Sequence, residues 1–540
     1  GLYPETHGII DNHFYDPDFD AYFDLGSEES LKGRWWGGEP IWNTVEKQGK
    51  LSATMFWPGS DADIQGMRPT YYYVYDTSVP FDFELIKDYE KYPRGTPLKL
   101  VAISKDCCDI ITLRSKTRLD YTKILEWLAL PVDERPSFLC LYFDEPDSTG
   151  HEYGPDTSQI DAELPVIDSY IGDLVNGIAE LNLTDCVNLI IVSDHGMTTV
   201  TEDRSIELDN YVPDLANLAS TYEGVLTRIR VNDEDEDQKY EIRKNLTCQL
   251  DEMLQYDAIS IPKRHHFSHN NRIGDFVVKF TLGYMGNVDD HWYMNGEHGY
   301  DNYYENMRAI FIASGPDFQS GGAKFEPFQN IELYNLMCEL LGVEPAINNG
   351  TEASIYDLLL SPPQYPTIDP VGYSQSLKLP LWTSFTLTSL NSEPPVADWS
   401  SDVRLTSSNT QTCSAYDNLK SLNVTMQPLF PNCKLVLCLV IFFSVWSNPA
   451  VPSHLFLIVT KCSSSVTDIN DCPTSDLDSL AFIFLQYYDL SNCLNEDDFS
   501  MENSAKVKDV ELLTGLTFFP NLPYKDRTKL VIRIHASLWE

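Results

Sequence analysis

Residues 138–197 carry two apolar runs of the kind that form buried strands, FLCLYF at 138–143 and VNLIIV at 187–192. Between the runs, apolar residues recur at steps of three and four, as they do along one face of a helix: Leu164, Ile167, Ile171, Leu174, Ile178 and Leu181. This stripe predicts core packing and implies no chemistry. The order of strand, helix and strand predicts an α/β unit with a mostly parallel sheet.

Carboxylate and imidazole side chains follow these runs. Asp147 and His151 come just after the first run, and the adjacent Asp194 and His195 come just after the second. His298 precedes a third apolar run at residues 309–313. Mixed Asp and His ligands at the ends of strands suit two neighbouring zinc ions, and strand ends of α/β sheets are where ligands gather. Surface loops can hold Asp and His by chance, but three such fragments together favour a dinuclear metal site.

The chain is too long for one ordinary domain. It has 540 residues, and its 43% hydrophobic content is enough for real cores. A Pro-rich stretch, SPPQYP at 361–366, predicts a linker. We therefore expect one domain at residues 1–360, a linker at 361–370 and a second domain at 371–540.

The chain is strongly acidic, with a formal net charge of −43. Phosphate backbones are held by clustered Lys and Arg, so this charge argues against a broad nucleic-acid surface. Recognition of a phosphate group would have to be local and would use metal ions. The simpler reading of the acidity is solubility in an extracellular setting.

The sequence favours a protein that enters the secretory pathway, and it does not decide between a secreted and a membrane-anchored protein. The twelve cysteines do not define a compartment, but four N-x-[ST] sequons, at Asn182, Asn245, Asn349 and Asn423, favour secretion. The most apolar stretch, residues 435–446, has the length of a buried element rather than of a membrane span. We expect an extracellular or cell-surface protein, and the choice between secretion and a membrane anchor stays open.

Several long motifs resemble one known family. EPDSTGHEYGP at 145–155, SDHGM at 193–197 and EHGYDN at 297–302 resemble the ectonucleotide pyrophosphatase/phosphodiesterases, zinc enzymes of the alkaline phosphatase superfamily. The likeness extends over nearly the whole chain, in the blocks GLYPETHGIIDN (1–12), RWWGGEPIW (34–42), FWPGSD (56–61), LPVDERPSF (130–138), NIELYNLMCELLGVEPAINNGT (330–351) and VELLTGLTFF (510–519). It implies an alkaline-phosphatase-like α/β fold.

The resemblance implies specific roles for the residues that match the family's motifs. One zinc would be held by Asp147, His151 and His298, and the other by Asp194 and His195. The amide of Asn12 would bind a phosphate oxygen, with His13 beside it in place of a more basic residue. The residues that would line the substrate slot are Trp57, Asp61, Tyr75 and Tyr142.

Part of the family's active site has no match in the chain. The resemblance places a nucleophilic threonine and one more aspartate ligand ahead of Gly1, and Thr6 matches a different position. We read the chain as a truncated fragment or an incomplete gene model, with a naturally inactive protein as the alternative. The chain as given is then expected to form at most one complete zinc site and to show no phosphodiesterase turnover.

Two further departures concern extra or missing segments. Residues 371–540 resemble the family's nuclease-like α+β domain, which is not catalytic in relatives, but the central part with a calcium loop is missing. Within this domain Cys462 and Cys472 match a family disulfide. Residues 83–117, including Cys107 and Cys108, have no counterpart in relatives, and we expect a surface insertion or a retained intron.

The block FWPGSDADIQGMRPTYYYVYDTSVPF at 56–81 bears on the substrate. In nucleotide-cleaving members of the family it forms a wall of the base slot, and the lysophospholipid-cleaving branch lacks most of it. Stacking of a base on an aromatic ring contributes about 1–3 kcal/mol, which favours a planar base over an acyl chain. The resemblance thus implies a nucleotide pyrophosphatase/phosphodiesterase. A base-contacting lysine of ATP-specialised relatives is Ser30 here, so base preference stays open. The alternatives are a lysophospholipid or choline phosphodiesterase and a non-catalytic binding glycoprotein.

Overall fold

The computed structural model describes most of the chain. The described residues are 1–73, 98–104, 119–232, 235–288, 293–363, 383–387, 435–441, 454–464, 472–485, 493–535 and 537–538. They divide into two compact units, residues 1–261 with 266–364 and residues 262–265 with 365–540. None of the helices within these ranges is long and apolar enough to cross a membrane.

The strands are short, and most lie in the first unit. They are β1 (His13–Asp16), β2 (Ala21–Asp24), β3 (Ser52–Met55), β4 (Tyr71–Tyr73), β5 (Leu98–Ser104), β6 (Phe138–Phe143), β7 (Val187–Ser193), β8 (Thr198–Thr199), β9 (Ser205–Glu207), β10 (Ala219–Tyr222), β11 (Leu226–Val231), β12 (Met253–Asp257), β13 (Phe276–Phe280), β14 (Met285–Asn287), β15 (Gly296–Glu297), β16 (Phe311–Ser314), β17 (Thr383–Leu387), β18 (Leu435–Ile441), β19 (His454–Cys462), β20 (Leu477–Leu485) and β21 (Ser504–Ala505).

The α-helices range from one turn to six. They are α1 (Pro4–His7), α2 (Ile41–Lys47), α3 (Leu119–Leu128), α4 (Asp147–Tyr153), α5 (Ser158–Glu180), α6 (Leu215–Leu218), α7 (Glu236–Leu246), α8 (Leu333–Leu341), α9 (Glu496–Glu502), α10 (Val507–Thr514) and α11 (Tyr524–Val531). The predicted strand–helix–strand unit is confirmed as β6, α5 and β7.

The largest sheet has six strands in the order β16-β7-β5-β6-β3-β4. Strands β3, β4 and β6 pair in parallel, whereas β5 pairs antiparallel with both β6 and β7, and β16 pairs antiparallel with β7. Strands β6 and β7 therefore point the same way with one opposed strand between them. The α/β class is confirmed, but the sheet is mixed where we expected it to be mostly parallel.

Strand β5 corrects the interpretation of residues 83–117 as a surface insertion. Residues 98–104, with the sequence LKLVAIS, pair along their length with β7 and over six positions with β6. The run is rich in the apolar and branched residues that suit a pleated sheet, so it can serve as an inner strand. The rest of that segment, including Cys107 and Cys108, lies outside the described residues.

The core of the first unit lies between the sheet and helices α3 and α5. The predicted stripe of α5 contributes Ile167, Leu174, Ile178 and the following Leu181 to the buried cluster, and Ile171 packs against it. Leu164 was expected in the same stripe but is 50% exposed. The stripe thus reaches the core only from Ile167 onward. Helices α2 and α8 form a second pair that contacts β3 and β5.

A separate antiparallel sheet in the first unit has the order β10-β11-β13-β12. Its apolar side chains form a core of their own with residues from α7 and from the segment around Leu208. Strand β11 lies inside this sheet, between β10 and β13. This position matters because β11 contacts both the start of the chain and the third metal motif, as described below.

The second unit is built on an antiparallel sheet of five strands, β17-β18-β19-β20-β21. Strand β18 comes from the apolar stretch at residues 435–446. Side chains of β19, β20 and α10 form its core. The disulfide between Cys462 and Cys472 is present, with the two Cα atoms 6.0 Å apart, as the resemblance implied. The assignment of this unit as a nuclease-like domain stays a prediction.

Candidate metal centre

Asp147 and His151 lie on one face of the short helix α4, which begins four residues after β6 ends. Residues four apart on a helix face the same way, so the two side chains meet. The Asp147 Oδ1 atom lies 3.3 Å from His151 Nε2. This oxygen is buried, and no hydrogen bond is recorded for it among the described residues. A buried carboxylate oxygen without a donor is expected where a cation belongs.

Backbone pairing brings the third motif to the first two. Strand β15, which precedes His298, pairs antiparallel with β8, which follows His195. On its other side the segment is tied to α4, because the Asn295 amide donates to the His151 carbonyl oxygen at 2.9 Å. Residues about 150 positions apart in the chain therefore meet at the ends of β6 and β7.

His298 contacts both predicted ligand groups. Its Nε2 atom lies 3.5 Å from Asp147 Oδ1. Its ring stacks on that of His195, with ring centres 3.5 Å apart and planes inclined by 13°. The His151 ring centre is 5.0 Å away. One imidazole thus connects the Asp147–His151 pair with the Asp194–His195 pair.

Two of the imidazoles are oriented by backbone carbonyl groups. His151 Nδ1 donates to the Gly296 carbonyl oxygen at 2.7 Å, and His195 Nδ1 donates to the Gly196 carbonyl oxygen at 2.8 Å. A carbonyl oxygen can only accept, so Nδ1 carries the proton in both rings. This leaves both Nε2 atoms free to bind a metal, an arrangement typical of ligating histidines.

The separations within the cluster fit a tetrahedral metal ion. Ligand atoms at zinc bond lengths of about 2.0–2.1 Å lie about 3.3–3.4 Å from one another in a tetrahedron. The two Asp147 separations given above are close to that value, and ligand atoms of Asp147, His151 and His298 all lie within 4.8 Å of one another. Asp194 Oδ1 and His195 Nε2 are 3.5 Å apart. The residues present therefore fit a metal at the first position and form a partial ligand set at the second.

Burial shifts the pKa values of two residues at the centre. Burial, reinforced by the neighbouring His195, lowers the pKa of His298 to about 3, so this imidazole is neutral at physiological pH. The neutral form is the one that binds metals. Burial also raises the pKa of Glu297, whose carboxylate lies 4.0 Å from His151 Nδ1.

Three glycines, one in each of the first two motifs and one directly ahead of the third, allow the loops to approach this closely, and the sequence analysis missed them. A Cβ atom on Gly196 would lie 2.0 Å from the Asn306 carbonyl oxygen, and one on Gly296 would lie 2.3 Å from the Gly150 carbonyl oxygen. A Cβ on Gly150 would lie 2.5 Å from the Met197 sulfur. The signal was present in the sequence, since each of these glycines lies next to or two residues from a candidate histidine ligand.

The predicted substrate residues belong to other elements of the first unit than the metal ligands. Asn12 is exposed in the turn before β1. Trp57 and Asp61 are half-buried in the turn after β3, where burial raises the pKa of the Asp61 carboxyl. Tyr142 is half-buried in β6 against the core. Tyr75 lies outside the described residues, so its position in a base slot stays a prediction.

Comparisons with known proteins find related sequences over most of the chain. Residues 1–301 match a family model described as type I phosphodiesterase / nucleotide pyrophosphatase. A venom phosphodiesterase of Macrovipera lebetinus is 30% identical, over 97% of this chain and 75% of that protein. Ectonucleotide pyrophosphatase/phosphodiesterase family member 1 is 30% identical in Homo sapiens, over 98% of this chain and 70% of the relative. The Mus musculus protein is 39% identical over 67% of this chain and 37% of its own length.

Proposed function

We propose that this chain, which belongs to the type I phosphodiesterase / nucleotide pyrophosphatase family, serves the hydrolysis of nucleotides in the extracellular space or at the cell surface. The substrates would be nucleoside triphosphates, dinucleotides or nucleotide phosphodiesters, and the product a nucleoside monophosphate. The resemblance to ectonucleotide pyrophosphatase/phosphodiesterases supports this class, and relatives include venom phosphodiesterases.

The observation that carries the proposal is the cluster of Asp147, His151 and His298 with His195 stacked against it. Two zinc ions bound here would act as Lewis acids that lower the pKa of an attacking hydroxyl group or water and stabilise charge on a phosphoryl group. Asp147, His151 and His298 would hold one ion, and Asp194 and His195 would contribute to the other. The carbonyl groups of Gly196 and Gly296 keep two of these imidazoles in the tautomer that binding requires.

Other residues of the chain would recognise the substrate. The Asn12 amide would donate to a phosphate oxygen, where a donor aimed at developing negative charge lowers the barrier by several kcal/mol. Trp57, Asp61, Tyr75 and Tyr142 would line the base slot. In the family the nucleophile is a threonine, which forms a nucleotidyl intermediate; the resemblance places this threonine ahead of Gly1.

Zinc binding tests the proposed centre directly. We expect His298→Ala to weaken zinc binding more than about 100-fold, because loss even of a residue that only orients a ligand costs 10–100-fold. His269→Ala is the matched control, since His269 is an exposed histidine of the same unit. The measurement is zinc per chain by inductively coupled plasma mass spectrometry after dialysis against buffered zinc. Equal zinc content in the two variants would refute the assignment of His298.

Turnover tests the substrate class. The 540-residue chain is expected to release no nitrophenol from thymidine 5′-monophosphate nitrophenyl ester. A fusion that places a relative's aspartate-and-threonine segment ahead of Gly1 is expected to release it, and His298→Ala in that fusion should not. If the fusion hydrolysed lysophosphatidylcholine and left the nucleotide ester intact, the lipid alternative would be correct. A zinc-loaded fusion that cleaved neither would support the non-catalytic alternative.

A further inference from the structure

Arg228 is a buried arginine that reaches from β11 to the beginning of the chain. Its side chain is only 1% exposed. The Nη2 atom donates to Asp11 Oδ2 at 2.7 Å and to the His13 carbonyl oxygen at 2.9 Å. The guanidinium group also lies over the Tyr222 ring, 4.3 Å from the ring centre. The cation–π contact and two directed hydrogen bonds give this side chain a single well-defined position.

The residues that Arg228 binds flank Asn12 on both sides. Asp11 uses its second carboxylate oxygen, Oδ1, to accept the Asn12 backbone amide at 2.6 Å. The Asn12 carbonyl oxygen in turn accepts the Leu25 amide at 2.9 Å. The backbone of Asn12 is therefore fixed, while the residue itself is exposed. A fixed backbone with an exposed amide is what a group that receives a ligand requires.

The strand that carries Arg228 also contacts the third metal motif. Val225, one residue before β11, packs in a small core with Tyr300, two residues after His298. A Cβ atom on Gly299 would lie 3.1 Å from Val225 Cγ2. At about 3.3 Å per residue along a strand, Arg228 lies about 10 Å from this contact. Strand β11 thus joins the His298 loop to the Asn12 turn through a short and rigid connection.

We propose that Arg228 is a positioning residue that holds the Asn12 amide at a fixed distance from the His298 metal centre. Arg228 touches neither substrate nor metal and acts only through the Asp11–Asn12–His13 turn. This inference rests on the phosphate-binding role of Asn12 proposed above. It assigns a role in ligand recognition to an arginine that would otherwise count only as a buried ion pair.

A purely structural role makes a different prediction. If Arg228 only stabilised the fold, removing its charge would lower the melting temperature. The ligand affinity of the folded protein would be unchanged. Removal of one partner of a buried pair does destabilise, so stability alone does not separate the two roles. The two roles differ in how much the loss of Arg228 changes ligand affinity when the Asn12 amide is present and when it is absent.

The test is a double-mutant cycle on the zinc-loaded chain, with adenosine 5′-monophosphate as the ligand in isothermal titration calorimetry. Asn12→Ala is expected to weaken binding about tenfold, since a hydrogen bond to a charged group is lost. Arg228→Gln is expected to weaken it about fivefold in the parent but less than about twofold in the Asn12→Ala background, because coupled residues are not additive. Zinc content should be unchanged in all variants.

Arg230→Gln is the matched control. Arg230 lies on the same strand, donates to the Asn271 carbonyl oxygen and sits over the Tyr15 ring at 5.7 Å. Its loss should change affinity less than about twofold, as expected of a site without shared partners. If Arg228→Gln does not fold, Asp11→Asn and Arg228→Lys carry the same test, because each weakens the link to the turn while keeping side-chain volume.

The outcomes separate the two proposals. Parent-like affinity of Arg228→Gln together with weak binding by Asn12→Ala would overturn the positioning role. Equal losses for Arg228→Gln in both backgrounds would also overturn it, because Arg228 would then act without Asn12. Parent-like affinity of Asn12→Ala would remove the proposed phosphate role of Asn12 and this inference with it, while the zinc result for His298 would stand on its own.

Discussion

At the scale of single residues, His298 holds the candidate metal centre together. It is the residue whose side chain contacts both the Asp147–His151 pair and His195. Burial keeps it neutral, while the His151 ring is held by the Gly296 carbonyl group and the His195 ring by the Gly196 carbonyl group of its own motif. The ring of one candidate ligand is therefore oriented from a distant motif and the ring of another from the next residue. The centre depends on side chains and backbone together.

Glu5 allows a prediction of pH-dependent stability at the same scale. Burial opposes its charge, but a contact with His266 and hydrogen bonds from the Ser268 and His269 amides outweigh it and lower the pKa of Glu5 to about 2, from 4.5. Because the folded-state pKa is depressed, the stabilisation is complete above about pH 4.5 and is lost as the pH falls toward 2. At 1.36 kcal/mol per pKa unit, it amounts to about 3 kcal/mol.

The test compares Glu5→Gln with the parent in guanidinium unfolding. The variant should be less stable by about 2–3 kcal/mol at pH 7, and the difference should shrink below about 1 kcal/mol near pH 2. Glu305→Gln is the control, because Glu305 is largely exposed beside Arg308 and should change stability by less than about 0.5 kcal/mol. A difference that stayed constant between pH 7 and pH 2 would show that the carboxylate charge is not responsible.

At the scale of elements, loops with glycines close the centre, and this makes a second prediction. Gly196→Ala would force a methyl group against the Asn306 carbonyl oxygen, and backbone atoms have little freedom to yield. We expect a loss of zinc affinity of at least tenfold and a destabilisation of about 1–3 kcal/mol. Gly172→Ala is the matched control, since its Cβ would meet no atom within 4 Å inside helix α5.

The control variant should gain stability. Alanine is favoured over glycine inside a helix by about 0.5–1 kcal/mol, so Gly172→Ala should unfold at a higher denaturant concentration with unchanged zinc content. Zinc affinity and guanidinium unfolding of both variants give the answer. Normal zinc affinity in Gly196→Ala would mean that the Asp194–His195 loop can move aside without losing the site.

The second unit supports a prediction about its disulfide. The bridge between Cys462 and Cys472 closes a loop of ten residues, which in the chain-entropy description stabilises by about 2–3 kcal/mol. Replacing both cysteines by serine should lower the protection of β19 and β20 in hydrogen exchange by that amount. Thr474→Ala, an exposed change two residues beyond Cys472, should alter it by less than about 0.5 kcal/mol. Protection in the double variant equal to that of the parent would show that the bridge does not stabilise this sheet.

Local pattern predicted the elements that carry the ligands but not how they pair. The apolar runs and the helical stripe located β6, α5 and β7, because burial of one face imposes a period that is visible in sequence. Strand β5 was missed because pairing direction and position in a sheet depend on distant partners. The same holds for the site. Asp and His were visible as ligand types, whereas the hydrogen bonds from the His195 and His151 rings to the Gly196 and Gly296 carbonyl groups follow only from the folded loops.

At the scale of the whole molecule, charge is the dominant property. A net charge of −43 repels nucleotide anions, and the repulsion reaches about 30 Å at 10 mM salt but only about 8 Å at 150 mM. We expect the association rate of adenosine monophosphate with the zinc-loaded chain to rise several-fold between these salt concentrations, as measured by stopped flow. Uncharged adenosine should show less than about a twofold change. An association rate that fell with rising salt concentration would indicate a local positive field strong enough to overcome the net negative charge of the chain.

The stacked rings of His195 and His298 also bear on the order in which ions arrive. An ion bound beside Asp147 would immobilise the His298 ring, and the face-to-face contact would then restrain His195 as well. Ordering a side chain costs up to about 1–2 kcal/mol, and this loss would be incurred once for two cations. Binding of two ions would therefore be cooperative, because the second ion would enter a site that the first had already made rigid.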